Sequence, residues 1–379
     1  MKIIIFGADG YLGWSTTLGL LNDVDELILV DNYSKRKYMK LLNRKPLVNL
    51  PRFSTRLKSI KSRAKKYFYE TDCSKYDNTY KIIKKHRPDA VIHFAELPSA
   101  PFSMLNKDFS WETIRNNLES TFNIIHSLKL LCPNTHLIKL GTMGEYGTPN
   151  IDIEEGWIKI KHNKRLDKFL YPRQGSSLYH TSKIMDTDLI WFYSRMFNLR
   201  CTDLMQGPVY GVYPNSDTLD DNVPIFTYDD IFGTVLNRFI VQSIVNKPLT
   251  VYGSGNQIRG YINVRDSVEC IKIALRNIPK PGQLCIHNQF TEQFSVLQLA
   301  ELVKQAMHNI NIDVKIKKIP NPRIENENHY YNAKHSNLRK LGLKPTKLSK
   351  KILIDIATYC MKHKDKIRVE TINPKIKWK

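Results

Sequence analysis

A glycine-rich turn directly behind a short apolar segment constrains the fold of this chain more than any other feature. The segment Lys2–Phe6 predicts a buried β-strand, and Gly7, Gly10 and Gly13 follow it in a GxxGxxG pattern. Glycines allow a tight turn and a close approach of the backbone to a phosphate group, and the N–H groups that open the next helix attract negative charge. The pattern predicts a phosphate-binding turn between a strand and a helix; a turn without a ligand is the alternative.

Apolar segments of strand length alternate with helical patterns along the first part of the chain. This alternation predicts an α/β fold, a Rossmann-type doubly wound parallel sheet with helices on both faces. The further predicted strands are Glu26–Val30, Tyr67–Glu70, Ala90–Phe94 and Leu137–Leu140, and the clearest predicted helices are Lys75–Lys85 and Thr113–Leu131.

The second predicted strand is followed directly by an acidic residue, Asp31. A carboxylate at this place accepts hydrogen bonds from the ribose hydroxyls of NAD and repels the extra phosphate of NADP, although the nearby Arg36 could weaken that preference. NAD is therefore the predicted cofactor, and no metal is expected. The predicted cofactor contacts are Gly7, Asp9, Gly10, Tyr11, Gly13, Asp31, Asn32, Arg36, Asp72, Tyr179 and Lys183.

The chain divides into two regions of different character. Residues 1–200 are predicted to form the NAD-binding Rossmann domain, interrupted by a basic insertion at about residues 34–66. Leu50, Phe53, Leu57 and Ile60 recur there at helical spacing, which predicts a helix with one packed face. Residues 201–379 contain many glycine and proline turns and are predicted to form mainly a smaller, discontinuous α/β substrate lobe, with some segments returning to the first domain.

The net charge of +22 is concentrated in two places. Residues 35–66 contain 13 Lys and Arg and no acid, residues 334–379 contain 14 Lys and Arg with three acids, and the rest is close to neutral. Solvated faces explain this distribution best; attraction of anionic ligands is the functional alternative, and no nucleic-acid partner is expected.

Targeting signals and cysteine patterns are also informative. No run of about 18 apolar residues is present, so neither a transmembrane helix nor a membrane partner is expected. The first predicted strand starts at Lys2, which leaves no room for a signal peptide and predicts a cytoplasmic location. The six cysteines form no CxxC pair, which argues against a zinc site or a disulfide framework.

A YxxxK pattern, Tyr179 to Lys183, supplies the first candidate for catalysis. On a helix the two side chains lie one turn apart on one face, and a cation near a tyrosine lowers its pKa from the usual value of about 10. Tyr179 is therefore the predicted general base; an exposed helical pair is the alternative. Thr142 follows the strand Leu137–Leu140, at the end of the sheet where ligands bind, and its hydroxyl can share the proton.

These motifs together resemble the extended short-chain dehydrogenases/reductases that act on nucleotide sugars, in which Asn117 would be the usual fourth member of the site; a helix-surface asparagine is the alternative. Longer segments resemble the UDP-sulfoquinovose synthase family in particular. The likeness covers nearly the whole chain, in segments that include Ser99–Met104, Gly141–Gly156, Asn288–Ser295, Asn321–Arg323, His329–His335 and Trp378.

The resemblance implies the conversion of UDP-glucose and sulfite to UDP-sulfoquinovose, with NAD regenerated in each cycle. Carbon 4 is oxidised with Tyr179 as base, water is lost across carbons 5 and 6, sulfite adds to carbon 6, and carbon 4 is reduced again. The sulfite is free or delivered by a protein partner. The resemblance also implies a homodimer formed through the helices that carry Tyr179 and Asn117.

The chain departs from the related sugar 4,6-dehydratases, which place an Asp-Glu pair just after the threonine. Met143 and Gly144 occupy these positions here, and Glu145 follows. His180 and Glu145 are the candidates for the acid–base work of water loss, and a protonated His180 would also attract sulfite. Side chains that point away from the site are the alternative for both.

The resemblance assigns the binding of the UDP-sugar to the second half of the chain. It implies contacts to the diphosphate from Arg259 and Arg323. The remaining substrate candidates are Thr142, Gln206, Asn237, Arg238 and Glu325.

Two departures from the plant-type pattern concern the same region. Leu97-Pro98 replaces a Gln-Arg pair, which removes a possible arginine contact to sugar or sulfite, and Met205 replaces an asparagine. The competing functions are a UDP-glucose 4-epimerase or 4,6-dehydratase and, from another class, a non-catalytic nucleotide-sensing or nucleic-acid-binding protein.

Overall fold

The computed structural model describes residues 1–213, 223–323, 325 and 327–375, so Trp378 lies outside the described residues. The strands are β1 (Lys2–Phe6), β2 (Glu26–Asp31), β3 (Lys65–Glu70), β4 (Ala90–His93), β5 (His136–Thr142), β6 (Trp157–His162), β7 (Arg165–Leu170), β8 (Arg200–Gln206), β9 (Val209–Tyr210), β10 (Leu249–Tyr252), β11 (Ile258–Asn263), β12 (Leu284–Gln289), β13 (Glu292–Ser295) and β14 (Ile316–Ile319). The helices are α1 (Tyr11–Leu20), α2 (Ser34–Leu41), α3 (Phe53–Ser59), α4 (Tyr76–His86), α5 (Ala100–Ser103), α6 (Lys107–Leu131), α7 (Leu178–Phe197), α8 (Val235–Ile244), α9 (Val264–Arg276), α10 (Val296–His308), α11 (Asn337–Lys340) and α12 (Lys350–Met361).

Seven parallel strands form the central sheet in the order β3-β2-β1-β4-β5-β8-β12. The strand order reverses between β1 and β4, which places a ligand crevice at the carboxyl ends of these strands. The predicted doubly wound α/β fold is therefore confirmed. The predicted helix at 113–131 begins earlier, at Lys107, because the Asn106 side chain accepts a hydrogen bond from the Phe109 amide at 3.0 Å and caps it there.

Both faces of the central sheet are covered by apolar side chains. Ile3 and Ile5 of β1 pack on one face with Trp14 of α1, whereas Ile4 and Phe6 pack on the other face with residues of α6 and α7. Successive side chains of a strand point to opposite faces, so a strand buried on both sides reads as a continuous apolar run. This explains why β1 was recognisable from its sequence.

The second half of the chain contributes to two layers. Strands β8 and β12 complete one edge of the central sheet. A separate apolar core forms where α8, α10 and α12 pack beside the β10–β14 pair, with Phe239, Val303 and Ala357 fully buried. Strands β9, β11 and β13 form a small mixed sheet, and β6 and β7 form an antiparallel hairpin. The boundary at residue 200 stays a prediction.

The basic insertion contains a helix, α3, that is shorter than the spacing of its apolar residues predicted. Helix α3 begins at Phe53, and its Phe53 and Leu57 are buried; the Phe53 ring centroid lies 5.0 Å from that of Trp14. Leu50 and Ile60 lie outside the helix. Pro51 restricts the residue before it to extended backbone, which keeps Leu50 out of the helix.

Two further findings concern the chain as a whole. In the part of the chain that the structure describes, no helix combines the length and apolar character that crossing a membrane requires. All six cysteines are free, and four of them are buried.

Candidate active site

A cavity of about 930 Å³ opens at the carboxyl ends of the central strands. Its walls come from the residues that follow or end β1, β2, β4, β5 and β8, and from the second half of the chain. This is the crevice that the reversal of strand order predicts.

The glycine turn forms one wall of this cavity. Gly7 has a φ of +83°, a conformation that side chains rarely adopt, and a Cβ atom at Gly13 would overlap the Gly7 carbonyl. Gly10 precedes the first residue of α1, and no side chain caps that helix end. All five predicted contacts in the turn line the cavity: Gly7, Asp9, Gly10, Tyr11 and Gly13. The uncapped N-terminus of α1 and the close backbone approach fit a dinucleotide pyrophosphate.

Asp31 lies at the end of β2 on the same wall. Its carboxylate accepts hydrogen bonds from the amides of Asp9, at 2.8 Å, and Tyr33, at 2.7 Å. Burial raises its pKa to about 6, with the charge of Asp9 adding to this effect. Asn32 also lines the cavity. Asp72 does not, because its carboxylate accepts from the Ser74 amide at 2.9 Å within a turn.

Arg36 does not reach the cavity, which corrects its prediction as a direct cofactor contact. Its guanidinium donates to both carboxylate oxygens of Asp9, at 2.6 and 2.7 Å, and to the carbonyls of Leu50 and Pro51. A second arginine that the sequence did not single out, Arg56, donates to Asp9 at 3.1 Å. The sequence contains one indication that Arg56 pairs with a distant acid: it lies in a basic insertion that contains no acidic residue.

Thr142 and Tyr179 meet on the opposite side of the cavity. Thr142 is the last residue of β5, and its hydroxyl accepts a hydrogen bond from the Gly144 amide at 3.2 Å. Tyr179 lies in the first turn of α7, where its amide donates to the Ser103 hydroxyl at 3.1 Å. The Thr142 hydroxyl lies close enough to the Tyr179 phenol to lower the pKa of that phenol. This pair is the arrangement that proton transfer to a bound hydroxyl requires.

The predicted lowering of the Tyr179 pKa is wrong for this structure. Burial raises the pKa of Tyr179, and the negative charge of Glu145 raises it further, against smaller opposing effects of Lys139 and the Thr142 hydroxyl. Lys183 forms an ion pair with Glu96 instead, and burial lowers the Lys183 pKa to about 8. Glu96 lines the cavity and Lys183 does not.

His180 lines the cavity next to the residues that follow Thr142. Its ring fills the space that a side chain at Gly144 would occupy, since a Cβ atom there would overlap Nε2. Its Nδ1 atom lies 3.1 Å from the Ser176 hydroxyl. Burial, together with the charges of Arg323 and Arg259, lowers the His180 pKa to about 3. The resting imidazole is therefore neutral, which corrects the prediction of a protonated histidine that attracts sulfite.

Glu145 lies behind the cavity wall rather than in it. The carboxylate is fully buried, accepts from the Thr142 amide at 3.1 Å and lies 3.6 Å from the Lys139 amine. Burial raises its pKa to about 8. The structure thus gives Glu145 a role in positioning Thr142, not the direct acid–base role that the sequence suggested.

Asn117 is likewise behind the wall. Its side chain accepts from the Leu97 amide at 2.8 Å and donates to the Ser182 hydroxyl at 3.0 Å, so it joins α6 and α7 to the loop after β4. The preceding residue, Asn116, lines the cavity instead. The choice between these neighbours depends on helix rotation, which the sequence did not resolve.

The predicted substrate residues of the second half converge on the cavity. Arg259 donates to Glu325 at 2.8 Å, and the Arg238 guanidinium packs 4.3 Å from the Tyr252 ring centroid. The lining includes Gln206, Asn237, Arg238, Arg259, Arg323 and Glu325. Three arginines in one cavity favour a second ligand that carries phosphates.

Comparisons with known proteins agree with this geometry. The sequence profile of the NAD dependent epimerase/dehydratase family matches residues 3–286. The chloroplastic UDP-sulfoquinovose synthase of Spinacia oleracea is 42% identical over 100% of this chain and 79% of its own length. The UDP-sulfoquinovose synthase of Sulfolobus acidocaldarius is 38% identical over 100% of this chain and 98% of its own length.

Solved structures at lower identity share the fold. The UDP-glucose 4-epimerase of Thermotoga maritima superposes with a TM-score of 0.71 at 18% identity, covering 96% of this chain and 99% of that one. The UDP-glucuronic acid 4-epimerase of Bacillus cereus, solved with UDP-glucuronic acid and NAD, gives a TM-score of 0.69 at 21% identity over 96% and 99% of the two chains.

The different positions of Asn117 and Asn116 predict different effects of substitution. Asn117→Ala leaves the buried Leu97 amide without its acceptor and is expected to lower the free energy of unfolding by about 1–3 kcal/mol. Asn116→Ala, the matched control, is expected to change it by about 0.5 kcal/mol or less. Chemical denaturation measures both. An Asn117→Ala protein as stable as the wild type, with a raised KM, would instead place Asn117 in contact with substrate.

Proposed function

The chain belongs to the NAD dependent epimerase/dehydratase family and, within it, to the UDP-sulfoquinovose synthases, and we propose that it converts UDP-glucose and sulfite to UDP-sulfoquinovose. The CDP-paratose 2-epimerase of Salmonella typhi and the UDP-glucuronic acid decarboxylase 1 of Arabidopsis thaliana, whose names give other activities, are 23% and 24% identical to this chain. The observation in the site that carries the proposal is the neutral His180 lying over Gly144, beside Thr142 and Tyr179.

The residues present fit NAD, which supplies hydride acceptance and return when bound. The glycine turn and the N-terminus of α1 would hold its pyrophosphate, and Asp31 would bind its ribose hydroxyls. We propose that residues 1–200 hold this cofactor and that the region from 201 onward mainly binds the UDP-sugar. The support for this division is that Arg238, Arg259 and Arg323 all come from the later region.

Tyr179 acts as the acid–base group at the oxygen on carbon 4. Its hydroxyl lies beside that of Thr142, and both residues line the cavity. Burial favours the neutral phenol, whereas the neighbouring Thr142 hydroxyl and the buried Lys139 charge favour the deprotonated form. The Glu145 carboxylate positions Thr142 by accepting a hydrogen bond from the Thr142 backbone amide.

His180 acts in the loss of water. A carbonyl group at carbon 4 makes the hydrogen on carbon 5 acidic, and a neutral imidazole can accept that proton. Met143 and Gly144 provide no carboxylate for this step, and Glu145 is turned away from the cavity. His180 takes the proton from carbon 5 and passes it to the leaving hydroxyl of carbon 6, so that it ends neutral again. Sulfite, free or delivered by a partner protein, then adds to carbon 6, and carbon 5 of the resulting enolate takes a proton from solvent, which restores the carbonyl group at carbon 4.

Substitutions at Tyr179 and His180 should separate oxidation from the later steps. Purified protein is incubated with UDP-glucose, with and without sulfite; products are analysed by mass spectrometry and the bound cofactor by the absorbance of reduced nicotinamide. The wild type should form a sulfonated UDP-hexose only with sulfite. Tyr179→Phe should lose both readouts by about 100-fold or more, because it removes the acid–base group.

His180→Asn should lose the sulfonated product by a similar factor of about 100 yet still reduce the cofactor on addition of UDP-glucose. Ser176→Ala, which removes only the partner of His180 Nδ1, is the matched control and should lose less. Formation of UDP-galactose or of a UDP-keto-deoxyhexose by the wild type would place the chain among the epimerases or dehydratases instead.

We also propose a homodimer formed through α6 and α7. These adjacent helices leave a group of large apolar side chains exposed, and a ring contact links Phe122 of α6 to Tyr193 of α7. The exposed members of this face are Phe122, Leu130, Met185, Phe192 and Met196. A two-fold axis through such a face would bury it against its own copy.

Charge introduced into this face should dissociate the dimer. The double variant Phe122→Lys, Phe192→Lys is expected to elute as a monomer in size-exclusion chromatography with light scattering, because its interface would bury unpaired ammonium groups. Ile278→Lys, which places a lysine at an exposed apolar position outside α6 and α7, should leave the dimer intact. A double variant that keeps the wild-type mass, or a monomeric wild type, would contradict this interface.

A further inference from the structure

Asp9 places a carboxylate in the turn that is built to hold a pyrophosphate. A negative charge there opposes phosphate binding unless it is neutralised. The side chain is 3% exposed and accepts hydrogen bonds from both Arg36 and Arg56. Both carboxylate oxygens are thus engaged by cations that lie outside the cavity.

Arg36 lies close in sequence to the residue that would bind the cofactor ribose, Asp31. It follows Asp31 by five residues, in the region where an arginine can accommodate the 2′-phosphate of NADP. All three guanidinium nitrogens have partners: Nε and Nη2 bond Asp9, and Nη1 bonds two carbonyls of the insertion. The planar fork that would otherwise bind a phosphate in bidentate fashion is therefore occupied.

The pair of Asp9 and Arg36 lies immediately beside the predicted ribose position. The Asp9 amide donates to the Asp31 carboxylate at 2.8 Å, so the two acidic residues are neighbours in space. Asp31 faces the cavity while Arg36 does not. Without the Asp9 carboxylate, Arg36 would keep only the two carbonyl contacts of Nη1, and its Nε and Nη2 donors would become available to a phosphate.

We propose that Asp9 is a specificity-determining residue, which selects NAD over NADP by holding the Arg36 guanidinium away from the ribose. The proposal rests on the NAD site and not on the sulfonation reaction. Asp31 repels the 2′-phosphate directly, and Asp9 removes the cation that would compensate for that repulsion.

Arg56 is not the arginine that would be released. Its side chain is fully buried, its guanidinium carbon lies 4.1 Å from the Trp14 ring centroid, and Nη2 donates to the Val223 carbonyl at 2.8 Å. These contacts hold it in place without Asp9. The Arg36 side chain is 26% exposed and can move.

The test compares the wild type with Asp9→Ala, Arg36→Gln and the double variant. Each protein is incubated with isotopically labelled NAD and with NADP, both in equal excess over the protein. Incubation continues until the labelled NAD has fully exchanged with the NAD bound to the protein. The protein is then desalted and the released dinucleotides are quantified by mass spectrometry. Asp9→Ala should raise the ratio of bound NADP to NAD by about tenfold, the effect of one gained arginine–phosphate contact. Arg36→Gln should leave the ratio unchanged, and the double variant should return to the wild-type ratio.

Three results would overturn the proposal: an unchanged ratio in a folded Asp9→Ala protein, a gain that persists in the double variant, or an Asp9→Ala protein that is folded but binds neither dinucleotide. If Asp9→Ala does not fold, Asp9→Asn decides, with a smaller shift in the same direction expected and an unchanged ratio contradicting the proposal. No sugar or sulfite is present, so failure of the proposed synthase activity would leave this result untouched.

Discussion

A buried lysine, Lys139, determines how the reacting end of the sheet is arranged. Lys139 belongs to β5, and its fully buried amine lies between the sheet and α7. It donates to the Thr187 hydroxyl at 3.0 Å and to the Asp203 carboxylate at 3.4 Å, and it lies 3.6 Å from Glu145. A charge in an apolar interior is costly unless such partners surround it. These partners belong to β8, α7 and the turn after β5, so satisfying one lysine fixes three elements relative to one another. Thr142 and Tyr179 meet because of that constraint.

The basic insertion shows a similar use of charge between distant segments. Its Arg44 pairs with Asp230 at 2.8 Å, its Leu47 amide donates to the Phe226 carbonyl at 3.0 Å, and its Arg56 bonds both Asp9 and the Val223 carbonyl. From the sequence, we explained the positive charge of the insertion by solvated faces or by anionic ligands. Part of that charge instead forms ion pairs within the protein. The insertion joins the phosphate-binding turn to the later region beside the cavity.

The sequence predicted those features that local patterns encode. Short-range patterns predicted the strand, turn and helix around Gly7–Gly13. They also predicted the acidic end of β2 and the position of Thr142 at the end of a strand. What it did not predict depends on contacts between distant positions or on side-chain direction. Glu96 meets Lys183 across 87 residues, and Arg56 meets Asp9 across 47. The neutral state of His180 depends on burial and on Arg259 and Arg323, which no local pattern around His180 reveals.

In the proposed mechanism, sulfite enters only after carbon 4 has been oxidised and water has been eliminated across carbons 5 and 6. The most direct measurement is the reaction of UDP-glucose and sulfite in heavy water, with mass spectrometry and NMR of the product. Carbon 5 of the product should carry solvent deuterium, because its original proton leaves through His180 and its new proton comes from solvent, while the hydrogen at carbon 4 is retained. A sulfonated product without deuterium at carbon 5 would mean direct displacement at carbon 6 and would contradict this mechanism.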